Sequence, residues 1–183
     1  MSTTTRWHIT LASFALVVAG GLILTALLAA GLADPPRAGA LQWQAQSLDG
    51  WPASRAADEL TIFAAPVELP ASFTLELTAR NDGSPASAWG IQLIDGSSSL
   101  LILIDNQGYF SVSAGDRPHW AQFIHLRPGA ANRLYLHVEP DGTGTLRLND
   151  EVAWQGVMPA QSWGVAMYRQ PQLSCQSIAL YHE

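Results

Sequence analysis

Phe73-Thr74-Leu75-Glu76-Leu77-Thr78-Ala79-Arg80 decides the fold class. Its odd positions are apolar and its even ones mostly polar, and a period of two is that of a strand with one face buried and one wet. The same alternation recurs farther along the chain. Leu134, Leu136 and Val138 alternate with Tyr135, His137 and Glu139, and Leu146 and Leu148 with Thr145 and Arg147. Further strands are predicted over 41–47, 59–64, 88–94, 99–104, 108–113, 119–124, 151–155, 162–168 and 173–181. Turn-forming groups separate them: Asn81-Asp82-Gly83, Asp95-Gly96-Ser97, Asn106-Gln107-Gly108, Asp141-Gly142 and Asn149-Asp150. No helical apolar period interrupts the series. Short strands at this spacing predict an all-β, two-sheet antiparallel sandwich over 41–183.

The other end of the chain is of a different kind. Ile9–Ala33 holds no charge, proline, asparagine or glutamine. Roughly 20 apolar residues at about 1.5 Å each cross a hydrocarbon core, so a transmembrane helix is predicted over 9–33. It would be a signal anchor between a cytoplasmic tail, 1–8, and a linker, 34–40. A signal peptide cut after Gly31-Leu32-Ala33 is the rival reading, although its apolar region would be longer than is usual. Arg6 precedes the span, and eight arginines and all fifteen acids follow it, a formal charge of −7. The positive-inside tendency then puts the sandwich on the exported side, periplasmic or extracellular. Small residues at Ala15, Ala19, Gly21, Thr25 and Ala29 form a stripe that would let another helix approach closely in lipid.

Composition removes several chemistries. All nine basic residues are arginine, which excludes lysine-dependent Schiff-base and phosphate-loop chemistry. The net charge of −6 argues against nucleic acid as a partner. Cys175 is the single cysteine, so there is no disulfide framework, cysteine-based zinc site or covalently attached c-type haem.

Taken in order, several segments resemble the concanavalin A-like lectin/glucanase jelly roll, in particular its laminin-G-like and sugar-hydrolase-associated modules, over about 41–181. Asp58-Glu59-Leu60-Thr61-Ile62 resembles an early Asp-Gly-x-Leu-x-Ile strand, with Glu59 where glycine is usual. Ser72-Phe73-Thr74-Leu75-Glu76, Trp89-Gly90-Ile91, Gly108-Tyr109-Phe110-Ser111-Val112 and Asn132-Arg133-Leu134 follow at matching places. Leu148-Asn149-Asp150-Glu151-Val152 then resembles an Asn-Gly turn with Asp150 at the glycine position, and Ser162-Trp163-Gly164-Val165 completes the series. The resemblance implies a fold rather than an activity, because this fold hosts many functions.

Glucan hydrolases of that fold carry Glu-x-Asp-x-x-Glu on one strand, which places carboxyl groups on either side of a scissile bond. The nearest match here, Glu139-Pro140-Asp141-Gly142-Thr143-Gly144, has glycine in place of the third carboxylate and reads as a turn. No glycosidase activity is expected. His119, His125 and His137 fall on separate strands without a local ligand spacing, and Asp95, Asp105, Asp116 and Asp141 sit in turns, where aspartate closes the backbone. No metal or organic cofactor is expected.

Two functional readings remain. Leu100-Leu101-Ile102-Leu103-Ile104 is apolar on both faces, so Leu101 and Leu103 need cover from a loop of the same chain or from a partner. With the small-residue stripe, this predicts a non-catalytic accessory subunit whose sandwich packs on the integral membrane subunits of a larger complex, of respiratory or photosynthetic kind. The alternative is a membrane-tethered carbohydrate-binding module. Sugar rings stack on exposed tryptophan, and Trp51 and Trp120 have loop-like neighbours, with Asp116, Arg117 and His119 beside the second. The competing role for such rings is to fill the core of the sandwich.

Overall fold

In the computed structural model the alternation at 73–80 closes a nine-residue strand, Phe73–Asn81, whose apolar side chains point between two sheets. The structure describes residues 3–29, 39–57, 59–115, 117–159 and 161–182. The chain divides into two units, Met1–Pro36 and Arg37–Glu183.

The first unit contains one helix, α1 (Thr3–Ala29). Its described side chains, 13–27, are all exposed, Ala15, Ala19, Gly21 and Thr25 among them. The Thr25 hydroxyl donates within the helix, to the Gly21 carbonyl at 2.8 Å. Among the described residues no helix is long and apolar enough to cross a membrane. The transmembrane span predicted over 9–33 is thus not shown. Its last residues, the linker 34–38 and the Ala29 side chain of the stripe lie outside what is described.

Among the described residues the second unit has thirteen strands: β1 (Ala40–Ala45), β2 (Ala53–Ala57), β3 (Leu60–Ala64), β4 (Phe73–Asn81), β5 (Ala88–Asp95), β6 (Ser98–Asp105), β7 (Tyr109–Ala114), β8 (Trp120–Gln122), β9 (Asn132–Val138), β10 (Thr143–Leu148), β11 (Glu151–Val157), β12 (Ser162–Tyr168) and β13 (Leu173–His182). They form a six-stranded sheet, β1-β13-β4-β9-β10-β11, and a seven-stranded sheet, β2-β3-β12-β5-β6-β7-β8. Every pairing is antiparallel. This is the predicted sandwich. Strand β2 was not foreseen: Ala53-Ser54-Arg55-Ala56-Ala57 has neither alternation nor β-branched residues, and its pairing with β3 is a tertiary effect.

The turns follow their chemistry. Asn149 (φ 51°) and Asp150 (φ 75°) both sit in the left-handed region between β10 and β11, the geometry that a two-residue hairpin requires. Asn149 also ties this turn to the preceding loop. Its amide donates to the His125 carbonyl at 2.7 Å and to Asn132 Oδ1 at 2.8 Å, while its Oδ1 accepts from the Arg133 N–H at 2.9 Å.

The main core lies between the sheets, with Phe73, Leu75, Leu77, Leu134, Leu136, Ile91, Leu93, Ile102 and Ile104 fully buried. Burying such a side chain stabilises by about 1.5–3 kcal/mol. Strand β6 splits its apolar residues. Leu100, Ile102 and Ile104 face this core, whereas Leu101 and Leu103 join a second cluster with Leu60, Ile62, Ala88, Ala166 and Tyr168 on the other face of the seven-stranded sheet. Both leucines are 0% exposed. Their assignment to a partner interface is therefore corrected: the chain covers them itself, and no surface is left there for another protein.

Candidate functional site

The cross-strand register sets out the outer face of the seven-stranded sheet in rows. One row runs Ile62, Ala166, Gly90, Leu103, Ser111 and Trp120; the next runs Leu60, Tyr168, Ala88 and Asp105, and beyond the β6–β7 turn Tyr109 pairs with Gln122. The central strands thus present small and apolar groups, and the polar and aromatic groups gather at one end. Gly90 contributes to the shape of this face. A Cβ there would run into the Ile102 carbonyl oxygen on β6, so only glycine lets the two backbones approach this closely.

At the polar end a cavity of about 270 Å³ is lined by Ala86, Asp105, Gln107, Tyr109, Trp120 and Arg169. Trp120 is 39% exposed and Tyr109 37%. Asp105 closes the β6–β7 hairpin: its Oδ1 accepts from the Gln107 and Tyr109 N–H groups, each at 2.8 Å. Its Oδ2 has no partner among the described residues and remains available to accept from a hydroxyl. The Gln107 side chain, at the turn, is exposed.

Arg169 comes from the end of β12 with its backbone in the left-handed region, φ 57°. For a residue with a Cβ this costs of order 1–2 kcal/mol. Its N–H donates to the Glu59 carbonyl at 2.8 Å and its Nε to Glu59 Oε2 at 3.0 Å, while the guanidinium lies 5.1 Å from the centre of the Tyr168 ring. The Tyr168 hydroxyl donates to the same Glu59 oxygen at 2.7 Å. The Tyr168 bond, and next the Arg169 bond, hold the Glu59 carboxyl below its ordinary value. Burial first, and then the Glu59 bond, push the Tyr168 phenol up. Glu59 stands where the resemblance has glycine, and that departure was the one sequence signal of this cluster.

The residues singled out from sequence separate here. Trp120 lines the cavity. Trp51 does not: its ring lies 5.7 Å from both Trp43 and Trp163, which are 6.1 Å from each other, and the three pack against the main core. Trp89 is buried and Trp154 packs on that core from β11, while Trp51, half-buried in its ring trio, lies apart from the Trp120 cavity. Arg117 and His119 are exposed but do not line the cavity; the His119 N–H donates to Ser111 Oγ at 2.8 Å. Asp116 lies outside the described residues. Asp105, Gln107 and Tyr109 were missed because the turn chemistry of the β6–β7 hairpin accounts for them locally, and Arg169 because it joins them only from the distant end of β12.

The histidines stay apart: the His125 ring lies 5.3 Å from that of Phe123, and His137 bonds Thr74 and Glu139. Among the described residues no group of three histidine, cysteine or acidic side chains is placed to hold a metal ion. Glu139-Pro140-Asp141-Gly142 forms the β9–β10 turn, with the Gly142 N–H donating to the Glu139 carbonyl at 2.9 Å.

No protein-family model and no curated protein sequence matches this chain. Solved structures do. The carbohydrate-binding module CBM66 from Bacillus subtilis superposes with a TM-score of 0.53 at 12% identity, over 80% of this chain and 99% of that one. The apo Crh5 transglycosylase gives 0.57 at 8% identity, over 81% and 88%. The metal-free Emp46p carbohydrate recognition domain gives 0.50 at 16%, over 70% and 81%. The sandwich has the jelly-roll fold of the concanavalin A-like lectins and glucanases. At these identities the likeness establishes the fold; the site must be argued from its own residues.

Proposed function

We propose that the sandwich is a carbohydrate-binding module, without catalytic activity of its own, that holds a saccharide against Trp120 at the polar end of the seven-stranded sheet. The observation that carries this reading is the cavity in which an exposed indole, a phenol, a half-engaged carboxylate and an arginine converge. The apolar face of a sugar ring stacks on Trp120, its hydroxyls donate to Asp105 Oδ2, and Arg169 and Gln107 donate to its oxygens. A rigid platform with a few fixed polar groups is how small-ligand sites combine affinity with orientation. The structural neighbours described as carbohydrate-binding support the same reading.

A transglycosylase shares the fold, but the central positions of the outer face are Ala88, Gly90, Gln92, Leu101 and Leu103, a set that offers no carboxylate pair to flank a glycosidic bond. We further propose that 9–33 tethers the module to a membrane with the sandwich on the exported side. The uncharged run Ile9–Ala33 supports this. The accessory-subunit reading loses its main premise with the burial of Leu101 and Leu103.

The test is retention of the full chain, in detergent micelles, on immobilised neutral polysaccharides. Retention that Trp120→Ala and Asp105→Asn each abolish supports the assignment; retention unaffected by both removes this cavity from the site. Release of reducing ends from a retained polysaccharide would show that the module is an enzyme. Protease protection of the sandwich in intact cells, lost on permeabilising the outer surface alone, tests the orientation.

A further inference from the structure

A second groove lies on the opposite side of the sandwich. On the outer face of the six-stranded sheet, a cavity of about 380 Å³ is lined by His137, Glu139, Thr143, Gly144, Thr145, Gln155 and Gly156. The register explains its shape. His137, Thr145 and Gln155 are direct neighbours across β9, β10 and β11, and Gly144 pairs with Gly156 one position along, so bare backbone forms a floor beside a polar wall. Both glycines turn their missing side chain toward the core: a Cβ on Gly144 would meet Met158 Sδ at 2.6 Å, and one on Gly156 the Trp154 ring at 2.5 Å, so either substitution would press on core side chains.

The wall is held in place by its own hydrogen bonds. His137 Nε2 and Glu139 Oε1 are 3.1 Å apart, and His137 Nδ1 is 2.9 Å from Thr74 Oγ1. A carboxylate only accepts, so Nε2 carries a proton; in the neutral ring Nδ1 then accepts from the buried Thr74 hydroxyl, which fixes the imidazole. The Gln155 amide donates to Thr145 Oγ1 at 3.1 Å, and Thr143 donates to Asp141 Oδ1 through its N–H at 2.8 Å and its hydroxyl at 2.6 Å. Donors and acceptors therefore alternate at fixed positions, a preorganisation that lowers the entropy cost of binding.

We propose that this groove is a second saccharide site, for a neutral polyhydroxylated ligand of one or two sugar rings. Glu139, more than half exposed, opposes an anion. Its second oxygen, the second N–H of the Gln155 amide and the Thr143 hydroxyl oxygen are the mixture of acceptors and donors that vicinal hydroxyls need. The cavity has the volume of a small-ligand site. No phenylalanine, tyrosine or tryptophan ring lines it, so affinity rests on hydrogen bonds and is modest. With the Trp120 cavity on the other sheet, one module would grip two stretches of glycan and gain avidity from the pair. The proposal stands on residues separate from those of the first site.

The experiment is amide and histidine-ring NMR of the full chain in detergent micelles, titrated with cellobiose, maltose, lactose and sucrose to about 50 mM, which saturates a site with a Kd of about 1 mM. The expected result is saturable shifts at His137, Thr145 and Gln155 with at least one disaccharide. They should persist in Trp120→Ala and weaken by about tenfold or more in Gln155→Ala, an exposed edge-strand change that leaves the fold intact. Shifts confined to the Trp120 cavity would overturn the second site and leave the first standing; shifts confined to β9–β11 would do the reverse. Silence at both ends both proposals. A response at His137 and Glu139 to calcium or putrescine, with none to the sugars, would make the groove a cation site and overturn the assignment.

Discussion

The ring of Trp120, on the edge strand β8, lies 6.4 Å from the ring of Tyr168 on β12, although β7, β6 and β5 stand between their strands. Four strand spacings in a flat sheet would put those backbones about 19 Å apart. The seven-stranded sheet is therefore curved enough for two long side chains to meet over its outer face, above the row that contains Leu103. One contact thus shelters an apolar floor and places an indole at the rim of the cavity.

Trp120→Ala should separate binding from folding. The indole is partly exposed and its ring pair with Tyr168 is worth about 0.5–1.5 kcal/mol. Calorimetry should show a melting temperature lowered by only a few degrees, while polysaccharide retention is lost. A collapse of the fold would mean that Trp120 is structural.

Leu103→Asp should behave in the opposite way. The side chain is fully buried in the second apolar cluster, and an unpaired carboxylate placed there must be desolvated or protonated. The variant is expected to lose cooperative unfolding or to accumulate as aggregate. A folded variant of unchanged melting temperature would restore the partner surface that burial removes.

Gly90→Ala tests the close approach of β5 to β6. The added methyl meets backbone, which cannot swing aside, so a loss of about 2–4 kcal/mol is expected in denaturant unfolding. Saccharide retention should fall with it, because Asp105 ends the strand that would have to shift.

Arg169→Gly should leave stability nearly unchanged and weaken binding. Glycine relieves the left-handed backbone at φ 57°, which offsets the loss of an exposed ion pair to Glu59. A variant that binds as well as the parent would confine Arg169 to a structural role.

The Glu59 cluster gives a pH signature. Its carboxyl is held below the ordinary value, chiefly by the Tyr168 hydroxyl, so its contribution is fully present above about pH 4.5 and is lost as pH falls through the lowered value. Carbon-detected titration should find Glu59 below the ordinary glutamate value, and Tyr168→Phe should raise it. An unmoved titration in that variant would sink the assignment.

Much of this molecule was legible along the chain. Alternation at 73–80 and 134–138, and Asn149-Asp150 at a hairpin, are local rules, obeyed wherever one face of a strand is buried or two residues must turn left-handed. The apolar run Ile9–Ala33 was equally plain as sequence. Trp120 was singled out for a sugar, but so was Trp51, since local composition cannot tell a ring that will meet Trp43 and Trp163 from one left at a rim. Likewise, the two-faced apolar run at 100–104 required cover, yet nothing local specified whose. Sheet curvature and the meeting of β6, β8 and β12 decided that, and they also gathered Asp105, Trp120 and Arg169 around one cavity. Period and turn chemistry act between neighbours in the chain. A site built from residues some sixty positions apart exists only once the sheets have closed.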